Sequence, residues 1–140
     1  MATTYHVGSL ARISDWYQGS DGLLGITATG EQRFRLLSNE QQPDGLNVGE
    51  IELIAAEERM PIPGPYQGLP HILNSVLDDL GRLYEYSDRH LDDAVWVTYR
   101  FVEILPIDLA EKQRSLESSD TDARLKLVHE LLDSVRGPAT

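Results

Sequence analysis

The sequence predicts an α+β fold, a small antiparallel sheet followed by a helical bundle, and three observations carry that reading. Residues 7–56 are apolar in short runs broken by glycine-rich turns, as strands and hairpins are. From Leu69 onward, apolar side chains recur every three or four residues, as they do on one face of a helix. Between the two lies Pro61-Ile62-Pro63-Gly64-Pro65, whose prolines forbid regular helix and favour a stiff, extended crossover. Strands first and helices afterwards make an α+β domain. The chain accordingly divides into a β-rich part over 1–60, a crossover over 61–68 and a helical part over 69–137.

Strands are expected at Val7–Ile13, Leu23–Ala28, Gln32–Leu37 and Val48–Ala55. Gly19-Ser20-Asp21-Gly22 supplies the positive backbone angles of a tight hairpin, so the first two should pair antiparallel. Asn39–Asn47, with Pro43-Asp44-Gly45, reads as a polar loop. Beyond the crossover, Leu69, Ile72, Leu73, Val76, Leu77, Leu80 and Leu83 fall on one helical stripe. Asp92 or Asp93 caps a second helix with Ala94, Val97, Phe101, Ile104 and Leu105 on its apolar face. Pro106 lacks an amide hydrogen and pushes Leu105 out of helical geometry, so that helix ends there. Asp108 offers its side chain to a short third helix and Asp120 to a longer fourth. The fourth carries Leu125, Val128, Leu132 and Val135, widened by Leu127 and Leu131, and stops at Gly137-Pro138.

Composition narrows the function. A chain of 140 residues, 41% hydrophobic, can bury the core of one domain. Its net charge of −11, from 12 basic and 23 acidic residues, repels a polyanion, so nucleic acid is not an expected partner. Without cysteine there can be no disulfide, thiolate zinc site or cysteine nucleophile. No apolar run reaches membrane-spanning length and no signal-peptide pattern opens the chain, so no membrane partner and a cytoplasmic location are expected.

The residues that could carry chemistry have simpler explanations. No glycine-rich phosphate loop of the G-x-x-x-x-G-K-[ST] type is present. In His129-Glu130-Leu131-Leu132-Asp133 an aspartate stands where a zinc helix needs its second histidine, so no metal and no cofactor are expected. Asp78-Asp79, Asp92-Asp93 and Glu57-Glu58 are adjacent pairs whose members point apart. His71 or His90 beside a carboxylate would be the seat of a small-molecule enzyme, on residue type alone. Trp16-Tyr17, beside a hairpin tip, and Met60, Ile62 and Tyr66, on the crossover, are better candidates for binding. Large aromatics are unusual near such tips, and loops on a stable scaffold commonly carry recognition.

Several segments together resemble the Lon protease amino-terminal, substrate-binding domain family. Val7-Gly8-Ser9-Leu10-Ala11-Arg12-Ile13 is similar to its "VGT.ARI" strand and Gly30-Glu31-Gln32-Arg33-Phe34-Arg35-Leu36 to its "G..RFRI" strand. Val48–Leu53 fits the strand that follows, and Asp92-Asp93-Ala94 with Arg100 and Glu103 fits the helix before "LPI". Leu105-Pro106-Ile107, Glu111-Lys112-Gln113, Leu116-Glu117, Asp120 and Arg124-Leu125 match its helical end. The resemblance implies a PUA-like β-fold followed by helices, and a module without catalysis that binds unfolded or hydrophobic polypeptide segments, here through Trp16, Tyr17, Met60, Ile62 and Tyr66. Neither Lys112 nor Lys126 lies in anything like the family's Ser-Lys peptidase motif. Because PUA-like folds also host RNA recognition, a nucleic-acid-binding module is the alternative. The family normally has further strands before the point matched by Val7. Their absence from this stretch would leave sheet edges open to pairing, so a homodimer through those edges, or a strand supplied by a partner, is expected.

Overall fold

The computed structural model describes residues 4–84 and 88–136, the side chains of Arg82, Leu83 and Arg136 excepted. The chain forms two compact units, Met1–Ala56 and Glu57–Thr140, and the crossover belongs with the second.

The first unit is a three-stranded antiparallel meander: β1 (Val7–Gln18), β2 (Leu24–Gln41) and β3 (Asn47–Leu53), in that spatial order. Two of the expected strands are thus one. Gly30 and the polar run Ser38–Gln41 do not break β2, because Gly30 is paired with Ala11 of β1 and Ser38–Gln41 with Asn47–Glu50 of β3. The strand absorbs its irregularities in register shifts instead, between Ser9 and Ala11, between Ile13 and Asp15, and between Leu36 and Ser38. The expected Asn39–Asn47 loop shrinks to a tight turn, in which Gly45 takes φ +92° and Asp44 accepts from the Leu46 amide at 3.0 Å. Glycines in the sheet are used for close approach. The Phe34 ring lies over Gly8, directly opposite it, and Tyr17 lies over Gly25 in the same way.

The second unit holds α1 (Leu69–Leu80), α2 (Ala94–Ile104), α3 (Leu109–Glu117) and α4 (Thr121–Arg136). Its core is Leu69, Leu73 and Leu77 from α1, Ala94, Val97, Phe101 and Val102 from α2, Leu105, and Leu125 and Val128 from α4. The helix ends follow the local chemistry. Gly81, at φ +57°, stops α1 short of Leu83. Asp93 caps α2 by accepting from the Val95 amide at 3.0 Å, and Asp120 accepts from the Ala123 amide at 3.1 Å. Leu105, before Pro106, is extended at φ −63°, ψ 142°. Asp108 stands at the cap position of α3, but its side chain makes no cap bond; Glu111 in the first turn complements the helix dipole. Val135 is 72% exposed and so lies off the apolar stripe. The expected stop at Gly137-Pro138 lies outside the described residues.

Candidate polypeptide-binding surface

The β1–β2 hairpin is held at its tip by backbone bonds from the Gly19 amide to the Leu23 carbonyl (2.8 Å) and from the Gly22 amide to the Gly19 carbonyl (3.0 Å). Asp21 adds a bond from the Leu23 amide at 3.0 Å, and Gly22 takes the positive φ, +82°, that the reversal needs.

Register then decides which side chains share a face. Trp16 stands opposite Ile26, Gln18 opposite Leu24, and Ile13 opposite Ala28. On β2 the residues 24, 26 and 28 alternate regularly, so all three pairs lie on one side of the sheet. Without the irregularity between Ile13 and Asp15, Ile13 and Trp16 would fall on opposite sides; the extra residue re-aims Ile13. The result is an apolar stripe of Ile13, Trp16, Leu24 and Ile26, which are 61%, 69%, 68% and 51% exposed. Leu23, in the turn beside it, is 68% exposed as well.

Tyr17 follows Trp16 without interruption and therefore faces the other way, over Gly25. That opposite face is also apolar further along, where Gly8, Leu10, Phe34 and Leu36 are half-buried beside Ile51 and Leu53. Trp16 and Tyr17 are thus neighbours in sequence but present to different faces.

Met60, Ile62 and Tyr66 belong to the helical unit, where all three are half-buried against its core. Met60 is tied by its backbone: its amide donates to Asp93 Oδ1 at 3.2 Å, and its carbonyl accepts from the Ala94 amide at 2.7 Å. Arg59 pairs with Asp92 at 2.9 Å, and Gln67 bonds the Ile62 carbonyl. The Tyr66 ring meets His129 edge-on at 5.5 Å between centroids. These bonds hold the crossover in place beside the start of α2.

Arg124 and Glu57, which the sequence shows only as part of a motif and of an adjacent acidic pair, form a nearly enclosed ion pair. Arg124 is 2% exposed, and its guanidinium lies 2.7 Å from the Glu57 carboxylate. It also donates to Thr98 Oγ1 (3.2 Å) and the Ser118 carbonyl (3.1 Å), and stacks 3.9 Å over the Tyr99 ring. Glu57 further accepts from the Tyr99 hydroxyl at 2.5 Å and from Thr121 Oγ1 at 2.8 Å. Burial pushes the Glu57 carboxyl upward, but the bonds from Arg124, Tyr99 and Thr121 and the Arg124 charge outweigh it and leave the group below its ordinary 4.5. Such a satisfied network positions the first residue of the unit against α2 and α4; it offers no free group to a substrate.

Of the four histidines, His129 and His90 have partners and His71 is exposed on α1. His129 Nε2 lies 3.3 Å from Asp133 on the exposed side of α4, and His90 packs edge-on against Trp96 at 5.9 Å. Among the described residues, no three His, Asp or Glu side chains gather as a metal would require. Nor is any described helix long and apolar enough to cross a membrane.

Comparison with known proteins agrees with this architecture. No curated protein matches the chain. Among solved structures, the Lon N-terminal domain protein from Xanthomonas campestris is 26% identical, with a TM-score of 0.71 over 90% of this chain and 68% of its own. The N-terminal domain of Mycobacterium avium complex Lon protease is 18% identical, with a TM-score of 0.60 over 94% of this chain and 72% of its own, a likeness of fold. The model of the ATP-dependent protease La (LON) substrate-binding domain matches residues 2–134. With its three-stranded antiparallel sheet, four helices and nearly complete match, this chain belongs to the LON substrate-binding domain family.

Proposed function

We propose that the chain binds exposed hydrophobic segments of other polypeptides and carries out no catalysis itself. The observation that carries this is the stripe of Ile13, Trp16, Leu24 and Ile26, four large apolar side chains gathered on one face and each more than half exposed. Covering apolar surface is favourable by about 25 cal/mol per Å², and a flat aromatic flanked by aliphatic side chains accepts many sequences equally. Membership of a substrate-binding family supports the same role. Tyr17, on the reverse face, and the exposed parts of Met60, Ile62 and Tyr66, in the helical unit, are further contacts. We place the encounter in the cytoplasm, where unfolded chains arise.

The test is an amide-resolved NMR titration of the full chain with an unfolded hydrophobic polypeptide. Saturable shifts are expected around Trp16 and Ile26, and the pair Trp16→Ser, Ile26→Ser should weaken binding by about tenfold or more while the fold persists. Unchanged affinity would remove the stripe from the site. Met60→Ser with Tyr66→Ser examines the crossover, with a thermal melt alongside because both side chains also support the helical core.

Self-association fits the sheet through β1, where Val7, Ser9 and Ala11 form an uncharged side. A dimer that dissociates on dilution in sedimentation velocity is expected; a monomer at every concentration would end that part of the reading.

A further inference from the structure

The outer edge of β3 has the composition of a strand-binding template, and we infer that it captures an extended polypeptide segment in which apolar and basic residues alternate. This rests on the reading that the chain binds polypeptides, and names how one part of a client would be held.

The first observation is the direction of the backbone groups. The Ile54 amide donates to Arg33 at 2.9 Å, and the Leu46 carbonyl accepts from the Gln42 amide at 2.7 Å, so even-numbered positions turn their polar groups toward β2. Antiparallel pairing alternates strictly, so the backbone amides and carbonyls of Asn47, Gly49, Ile51 and Leu53 point the other way. The sheet ends there: β3 has β2 on one side, and no strand of this unit beyond it among the described residues. All seven residues of β3 are exposed.

The second observation is the sidedness of the strand. Ile51 stands opposite Leu36 and Leu53 opposite Phe34, which continues the apolar face across the sheet. Glu50 and Glu52 occupy the other face. Arg35 answers Glu52 at 3.2 Å, but Glu50 faces Ser38, and the next pair toward the turn on that side is Glu40 with Val48. The edge is therefore apolar on one side and acidic on the other, with a period of two.

A strand added here would set its own alternate residues beside these. Apolar side chains would extend the Phe34–Leu36–Ile51–Leu53 face, and lysine or arginine would stand beside Glu50 and Glu52. The same charges argue against a second copy: pairing β3 with β3 would set glutamates beside glutamates.

The experiment uses the full chain and three probes: a peptide of alternating valine and lysine, one of alternating valine and glutamate, and the unfolded apolar polypeptide used above. The valine–lysine peptide should bind and shift the amides of Asn47–Leu53, while the valine–glutamate peptide should not. Ile51→Pro removes an outward amide without touching the ladder to β2, and should weaken binding by about tenfold. Glu50→Lys leaves the ladder intact; it should weaken the basic peptide by about fivefold and gain affinity for the acidic one. Binding that ignores Ile51→Pro, or that leaves β3 unshifted, would overturn the edge site. If the apolar polypeptide binds at the Trp16 stripe and neither peptide binds, the inference falls and the proposed function stands. If none of the three binds, both fall.

Discussion

Arg124 and Glu57 show how a single pair can matter more for stability than for function. Both side chains are nearly sealed from water, at 2% and 9% exposure, so truncating either leaves a buried charge alone. Arg124→Ala is expected to cost about 3–5 kcal/mol in urea denaturation, the range for breaking one side of a buried ion pair. Glu57→Gln should cost less, because the amide keeps part of the hydrogen bonding. The pH dependence follows from the direction of the Glu57 shift. Its carboxyl is held below 4.5 in the folded state, so its contribution is fully present above that value and is lost as pH falls through the lower folded pKa. Denaturation midpoints should drop on acidification below about pH 4.5, and drop less steeply in Glu57→Gln. A slope unchanged by that variant would assign the acid sensitivity elsewhere. Neither partner is legible as a pair in the sequence, since 67 positions separate them and each type is common on helix and loop surfaces.

At the scale of elements, the helix ends were readable because capping is local. Asp93, Asp120 and Pro106 act within three or four residues of themselves, and the structure uses all three. Asp93 does more than cap, since it also accepts the Met60 amide and lies 3.9 Å from Arg59. Asp93→Ala should therefore lower the stability of the helical unit by about 1–2 kcal/mol, toward the upper end for a cap, as measured by a thermal melt followed by far-UV circular dichroism. The continuity of β2 was not readable, because a bulge is a count of residues on one strand against another and no single strand contains that count. The same blindness hid Ile13, Leu24 and Ile26 from the candidate surface, although Trp16 stood out as an aromatic beside a turn. Met60, Ile62 and Tyr66 were visible as apolar residues on a proline-rich segment, but their packing on α-helices far along the chain depends on tertiary contacts. In the hairpin turn, Gly22→Ala should cost about 1–2 kcal/mol, since an L side chain resists φ +82°, and the Trp16 fluorescence should report the loosened tip.

For the molecule as a whole, a net charge of −11 sets which partners can approach. Single-stranded RNA is not expected to bind with salt-sensitive affinity, and an electrophoretic mobility assay across ionic strengths checks this. Binding that weakened steeply with salt would reveal a locally basic face and revive the nucleic-acid alternative. A last consequence concerns relatives of this chain. Between Ile13 and Asp15, one residue of β1 is in excess over its partner strand. Inserting one residue between Thr27 and Ala28 would give Ser14 a partner and leave every other amino acid in place, yet would send Ile13 to the reverse side of the ribbon from Trp16 and divide the stripe. Whether a homologue has kept this surface is therefore decided by how the lengths of its two hairpin arms match before the identity of any side chain. A sequence alignment that opens or closes a one-residue gap at that point assigns two different molecular surfaces to the same letters.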